Sequence, residues 1–138
     1  MNEELKKLAS YLKIENQVVF TSYIDENDKP AIYKSALAMA FISSYEGFGL
    51  PIIEAMAAGT PVITSNVSSM PEVAGNAAVL VDPFKIDETK DALERIILDS
   101  EFRENLIELG YKNAKKYSWT HSGEALIKLC NTILKPRL

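Results

Sequence analysis

The sequence predicts an α/β fold built on a parallel sheet. Three observations carry that expectation. Short apolar runs of three to five residues recur along the chain, at 18–20, 38–42, 61–64 and 77–81. Stretches with helical spacing separate them. Strands of that length alternating with helices indicate parallel strands covered on both faces. The 138 residues suffice for one domain with a real core, and no repeat, low-complexity segment or linker marks a second.

The elements follow in order. Leu5, Leu8 and Leu12 recur at helical spacing among charged residues, which predicts a surface helix over 2–14. Val18-Val19-Phe20 reads as a short buried strand. Asp25-Glu26-Asn27-Asp28 is a polar loop, and Asp28 caps a helix with Pro30 in its first turn, running to about Leu37. Ala38–Ile42 is the next strand. A helix from Pro51 to about Ala58 ends at Gly59. Pro61–Thr64 forms a strand, and Ser69-Met70-Pro71-Glu72 fits a capping box opening a very short helix. Ala77–Val81 is the last strand, ended by Asp82-Pro83. Asp87 caps a helix to about Leu98, and helices over 101–116 and 120–134 complete the chain. Such sheets usually open with a strand and its ligand-binding loop, whereas this chain opens with a helix. The first strand is therefore expected to be missing, and the helical tail is expected to pack on something outside the fragment.

Composition narrows the function classes. A net charge of −4 offers no basic field to attract nucleic acid or an anionic membrane. No apolar run is long enough to span a bilayer, and the acidic N-terminus lacks the apolar core of a signal peptide. The single cysteine, Cys130, cannot form an internal disulfide, so a cytoplasmic setting is expected.

The chemistry concentrates in Glu46-Gly47-Phe48-Gly49-Leu50-Pro51-Ile52-Ile53-Glu54. In a parallel sheet, ligands sit beyond the carboxyl ends of the strands, where this strand-to-helix loop lies. Gly47 and Gly49 permit backbone angles closed to other residues. Free N–H groups at the helix start form an anion site suited to phosphate. A carboxylate repels phosphate, so Glu46 and Glu54 suit neutral donors, and sugar hydroxyls are the neutral donors usually found beside a phosphate. Glu54, about one turn into the helix, leans back toward the ligand mouth, and Glu46 reaches it from the other side. The order sugar, phosphate, sugar describes a nucleotide sugar. Either glutamate alone reads as a solvated acid or a helix-start acid; the pair around Gly-Phe-Gly and Pro is the specific signal.

Residues 46–63 resemble the E-x7-E signature of retaining group-1 glycosyltransferases of GT-B fold, which include bacterial mannosyltransferases and sucrose and glycogen synthases. The likeness extends through Asn66–Gly75 and Leu80–Pro83, and touches Val19–Tyr23 and Tyr117–Thr120. It implies two Rossmann-like domains, of which this chain is most of the C-terminal, donor-binding one. By the same likeness Glu46 contacts the donor hexose as the catalytic residue, Glu54 the ribose, and the N–H groups of Gly47, Phe48, Gly49 and Leu50 the hexose and diphosphate. Tyr23 and Ile24 match the segment that touches the base. The donor would be a GDP- or UDP-sugar, with mannosyl or glucosyl transfer and no catalytic metal. The Arg and Lys that neutralise the leaving diphosphate in the family would precede Met1, so the isolated chain is expected to be inactive. Expected partners are the donor, the missing N-terminal acceptor domain and, for the full enzyme, a membrane met peripherally; nucleic acid is not among them. The alternative is a non-catalytic α/β module acting through protein contacts. His121 reads as a surface residue, Cys130 as packing, Trp119 as an anchor of the last helix on the domain or on its missing partner, Glu72 as a cap or, because its loop also follows a strand end, a site residue, and Asp82 as a strand end.

Overall fold

The computed structural model describes residues 2–134. Three parallel strands, β1 (Met39–Phe41), β2 (Val62–Ser65) and β3 (Ala78–Val81), lie in the order β1-β2-β3. Met39 pairs with Val62 and Phe41 with Thr64; Val62 pairs with Ala78 and Ser65 with Val81. The helices are α1 (Asn2–Tyr11), α2 (Lys29–Ser35), α3 (Leu50–Ala58), α4 (Met70–Ala74), α5 (Ile86–Leu98), α6 (Ser100–Ala114) and α7 (Trp119–Leu134).

All four residues of the central strand β2 are buried, because helices cover both of its faces. Side chains alternate across a strand, so Val62 and Ile63 point to opposite sides. Val62 packs with Ile52, Ala55 and Met56 of α3 and Met70, Val73 and Ala74 of α4. Ile63 packs with Val81, Ala92 and Ile96 of β3 and α5, and with Leu106 of α6. Fully burying a side chain such as Ile63 stabilises the fold by roughly 1.5–3 kcal/mol. Among the described residues, no helix is long and apolar enough to cross a membrane.

Helix α3 is delimited at both ends by glycine. Gly49 precedes it at φ 101°, with Pro51 at its second position. Gly59 ends it at φ 81°, and its N–H donates to the carbonyls of Ala55 and Met56. This conformation is open to glycine and strained for other residues.

Several expectations are corrected. Val18–Phe20 is not a strand: it pairs with none, and Val19 is 85% exposed. A β-rich run needs a neighbouring strand to complete its hydrogen bonds, and here it has none. Asp28 precedes α2 without a side-chain cap; its carbonyl accepts from the N–H groups of Ala31 and Ile32 instead. Asp87 lies inside α5 rather than capping it, and its neighbour Glu88 accepts the Asp82 N–H at 2.8 Å. Asp82 does close β3, accepting the Phe84 N–H at 2.9 Å in a local turn. Helix α7 has no buried residue: Trp119 is 87% exposed and Cys130 is exposed, so neither acts as an anchor or packing residue on this body. His121 is exposed, as expected.

Candidate functional site

Parallel strands place their carboxyl ends on one edge of the sheet. The loop 42–49 leaves β1 there, and the turn 66–69 leaves β2 beside it. The two are tied together. Ser65 Oγ donates to the Ser43 carbonyl at 2.5 Å. Ser68 Oγ donates to the Glu46 carbonyl at 2.8 Å and accepts the Glu46 N–H at 3.3 Å. Ser69 Oγ lies 3.0 Å from the carbonyls of both Glu46 and Phe48. Ser69 therefore does not cap α4, as a capping box would require; its hydroxyl is turned to the loop. Ser68 adopts φ 56°, strained for a residue with a Cβ. Local strain of this kind persists only where surrounding contacts hold it.

The Glu46 side chain is half-buried, and Glu46 Oε1 accepts from Ser43 Oγ at 2.9 Å. Phe48 meets Tyr117 edge-on, with ring centroids 5.6 Å apart. Tyr117 in turn donates to the Val73 carbonyl at 3.2 Å. The loop is thus gripped from the β2 turn on one side and by the aromatic pair on the other. Of its two glycines only Gly49 takes a positive φ. A Cβ on Gly49 would also stand 3.1 Å from Ile52 Cδ1. Gly47 is not among the positive-φ residues and has open space around it, so of the two glycines only Gly49 uses that backbone freedom. Among the described residues, the N–H groups of Gly47, Phe48, Gly49 and Leu50 donate to no protein acceptor.

Glu54 stands on the second turn of α3. Its Oε2 accepts from the Tyr33 hydroxyl of α2 at 3.0 Å. Between α2 and α3 runs a cleft of about 330 Å³ lined by Glu26, Lys29, Pro30, Tyr33, Glu54 and two alanines. Lys29 and Glu26 pair at 2.6 Å at its rim. The hydrogen bond to Glu26 raises the Lys29 pKa; the charges of Glu26, Glu54 and Tyr23 add to it, against some desolvation. Tyr23 and Ile24 are not among the walls of the cleft; the Tyr23 ring is 84% exposed and Ile24 beside it is half-buried. Burial, followed by the bond to Glu54, pushes the Tyr33 hydroxyl up to about 12. Glu46 is not among the walls of the cleft. The structure thus gives each glutamate its own partner, Ser43 for Glu46 and Tyr33 for Glu54, and brings Glu54 rather than Glu46 to the cavity.

Tyr33 and Lys29 escaped notice in the sequence, yet they stand four residues apart, the spacing of one helix face, and Glu26 was read only as part of a polar loop. Ser68 and Ser69 gave a weaker signal: two small hydroxyls in the turn after a strand, of which Ser69 alone reads as a cap.

A parallel sheet with helices on both faces and a glycine-marked loop at its carboxyl edge defines a Rossmann-like domain. The chain belongs to the group-1 glycosyl transferases: residues 1–113 match that family. It is 39% identical over 105 residues to O-antigen chain mannosyltransferase B of Escherichia coli, covering 76% of this chain and 28% of the relative. Its fold matches sucrose-phosphate synthase from Thermosynechococcus elongatus with a TM-score of 0.81 at 29% identity, covering 95% of this chain and 34% of the synthase. It also matches the C-terminal domain of a group-1 glycosyl transferase from Francisella tularensis, with a TM-score of 0.74 at 30% identity, over 83% of this chain and 60% of that one. The fold is the Rossmann-like unit of GT-B glycosyltransferases. The chain spans 28% of that mannosyltransferase and 16% of the serotype-specific mannosyltransferase WbdA of Escherichia coli, to which it is 31% identical over 127 residues.

Proposed function

We propose that this chain is the donor-binding, C-terminal-type domain of a retaining hexosyltransferase that uses a GDP- or UDP-sugar. The observation that carries this is the α3 entrance. A positive-φ glycine opens the helix there, four N–H groups have no protein acceptor, and carboxylates stand on the preceding loop at Glu46 and on the second turn of α3 at Glu54. Family membership and the likeness to a C-terminal domain support it.

In this assignment the N–H groups of residues 47–50 face the diphosphate, where the helix dipole adds to their attraction. Glu46 takes the donor hexose; Ser43, Ser68 and Ser69 hold it in place. Glu54 takes the ribose hydroxyls, and Tyr23 and Ile24 lie toward the base. No catalytic metal is invoked. Glycosyl transfer builds positive charge on the sugar and negative charge on the leaving diphosphate. Residues 43–50 contain no Lys or Arg to balance the latter. The 138-residue chain by itself is therefore expected to bind a donor weakly and to transfer no sugar.

Titration of the ¹⁵N-labelled chain with GDP-mannose and UDP-glucose tests the assignment. Amide shifts confined to residues 46–50 and the α2–α3 cleft are expected, and Glu54→Ala should diminish them. Shifts scattered over the surface, or the same pattern in Glu54→Ala, would reject it.

A second reading, a module acting through protein contacts, is favoured by α7, whose Leu126, Ile127, Leu129 and Ile133 are all more than half exposed. Sedimentation as a monomer together with saturable donor binding would decide against it.

A further inference from the structure

We propose that Tyr33 is a positioning residue for Glu54, fixing one carboxylate oxygen so that the other is presented to a ribose hydroxyl. This rests on the assignment of Glu54 to the ribose, and the experiment below separates the two.

Tyr33 is held at both of its polar ends. Its carbonyl accepts from Thr60 Oγ1 at 2.6 Å, and Thr60, just beyond the end of α3, is only 2% exposed. Its hydroxyl donates to Glu54 Oε2 at 3.0 Å. One residue of α2 is thus fastened to both the middle and the end of α3. A phenol has a single proton to give, so it occupies one oxygen and leaves the second free. Among the described residues Glu54 has no other hydrogen-bond partner, so Oε1 keeps its full accepting capacity.

The nearby cation does not compete. Lys29 pairs with Glu26 at 2.6 Å, which leaves Glu54 to Tyr33. A glutamate side chain loses considerable rotamer freedom when it is fixed. Where Tyr33 has already fixed it, a ligand need not supply that ordering. The Tyr33 proton also stays in place across the neutral range, since its pKa lies about 12.

The test compares the full chain with Tyr33→Phe and Glu54→Ala by NMR titration. The probes are GDP and UDP, each beside its 2′,3′-dideoxy counterpart. The parent is expected to bind the ribose nucleotides more tightly than the dideoxy ones. Tyr33→Phe should bind the ribose nucleotides about three- to tenfold more weakly, at unchanged dideoxy affinity. An unchanged amide spectrum away from α2 and α3 would accompany it. If Tyr33→Phe keeps the parent's ratio while Glu54→Ala abolishes it, Glu54 serves the ribose without Tyr33 and the proposal is overturned. If Tyr33→Phe weakens all four nucleotides equally, its role is structural and the proposal is again overturned. If the parent does not discriminate, or Glu54→Ala still does, the ribose assignment fails and takes this inference with it.

Discussion

Ser69 Oγ lies 3.0 Å from the carbonyl oxygen of Glu46, twenty-three residues earlier in the chain, and equally close to that of Phe48. One hydroxyl has one proton, so the two carbonyls share it. The contact joins the turn after β2 to the loop after β1, and it acts on the backbone of the residue that carries the candidate catalytic carboxylate. Ser69→Ala is expected to destabilise the fold by about 1 kcal/mol, the net worth of one ordinary hydrogen bond. Amide hydrogen exchange at residues 46–50 should quicken beyond that global loss. Unchanged exchange at those amides would show that the loop holds its shape without Ser69.

The neighbouring Ser68 permits a sharper comparison. It sits at φ 56° and bonds Glu46 through both the N–H and the carbonyl. Ser68→Ala and Ser68→Gly remove the same hydroxyl, but only glycine is at ease at that φ. Ser68→Gly is therefore expected to be more stable than Ser68→Ala by roughly 0.5–1 kcal/mol in urea unfolding. The reverse order would mean that the backbone at 68 shifts once the hydroxyl is gone.

At the far end of α3, Gly59 combines a positive φ of 81° with close contact to Tyr111 of α6. A Cβ there would stand 2.1 Å from the tyrosine hydroxyl and 2.8 Å from its ring carbon. Gly59→Ala should cost about 1–3 kcal/mol, through backbone strain and displacement of Tyr111. The displacement part should vanish in Gly59→Ala/Tyr111→Ala, so a double-mutant cycle in urea is expected to be non-additive. Strict additivity would assign the whole loss to the backbone.

What was legible in the residues follows from which forces decide each element. Strands β1, β2 and β3 and helix α3 are short and apolar, and Pro61, Asp82, Gly49 and Gly59 mark ends of β2, β3 and α3, so local pattern and tertiary packing agree on them. Val18–Phe20 has the same composition and no strand beside it, and β pairing is a property of two segments rather than one. The caps failed for a related reason. Asp28, Ser69 and Asp87 all stand near helix starts, but a short polar side chain goes to whichever acceptor or donor the fold brings near. For Ser69 that is a loop more than twenty residues away. Glu46 and Glu54 stood out through the Gly-Phe-Gly and Pro between them; the structure gives them separate partners and lines the cleft with Glu54 alone. That Tyr33 meets Glu54 was not legible, since nothing local dictates how α2 and α3 cross.

Alkaline titration offers a separate check on that meeting. The Tyr33 pKa, about 12, lies above the ordinary tyrosine value of 10, chiefly through burial and then through the bond to Glu54. The folded state therefore holds this proton more tightly than the unfolded chain does. Its contribution to stability is complete below pH 10 and is lost as the pH rises from 10 toward 12. Tyr33→Phe should show a shallower loss of stability across that window, with no difference in slope between pH 6 and 9. Identical slopes from pH 10 to 12 would place the Tyr33 hydroxyl in an ordinary solvated setting.

The bonds from Ser68 and Ser69 back to Glu46 also set an order of events on the ribosome. When Glu46 is polymerised, the groups that will shape its loop do not yet exist. They are added twenty-two and twenty-three residues later, a delay of roughly 1–5 s at ordinary translation speeds. Strand β1 takes its ladder partner from residues 62–64, so in a nascent chain leaving the exit tunnel the strand and the loop after it gain a settled contour together, once that later stretch has emerged.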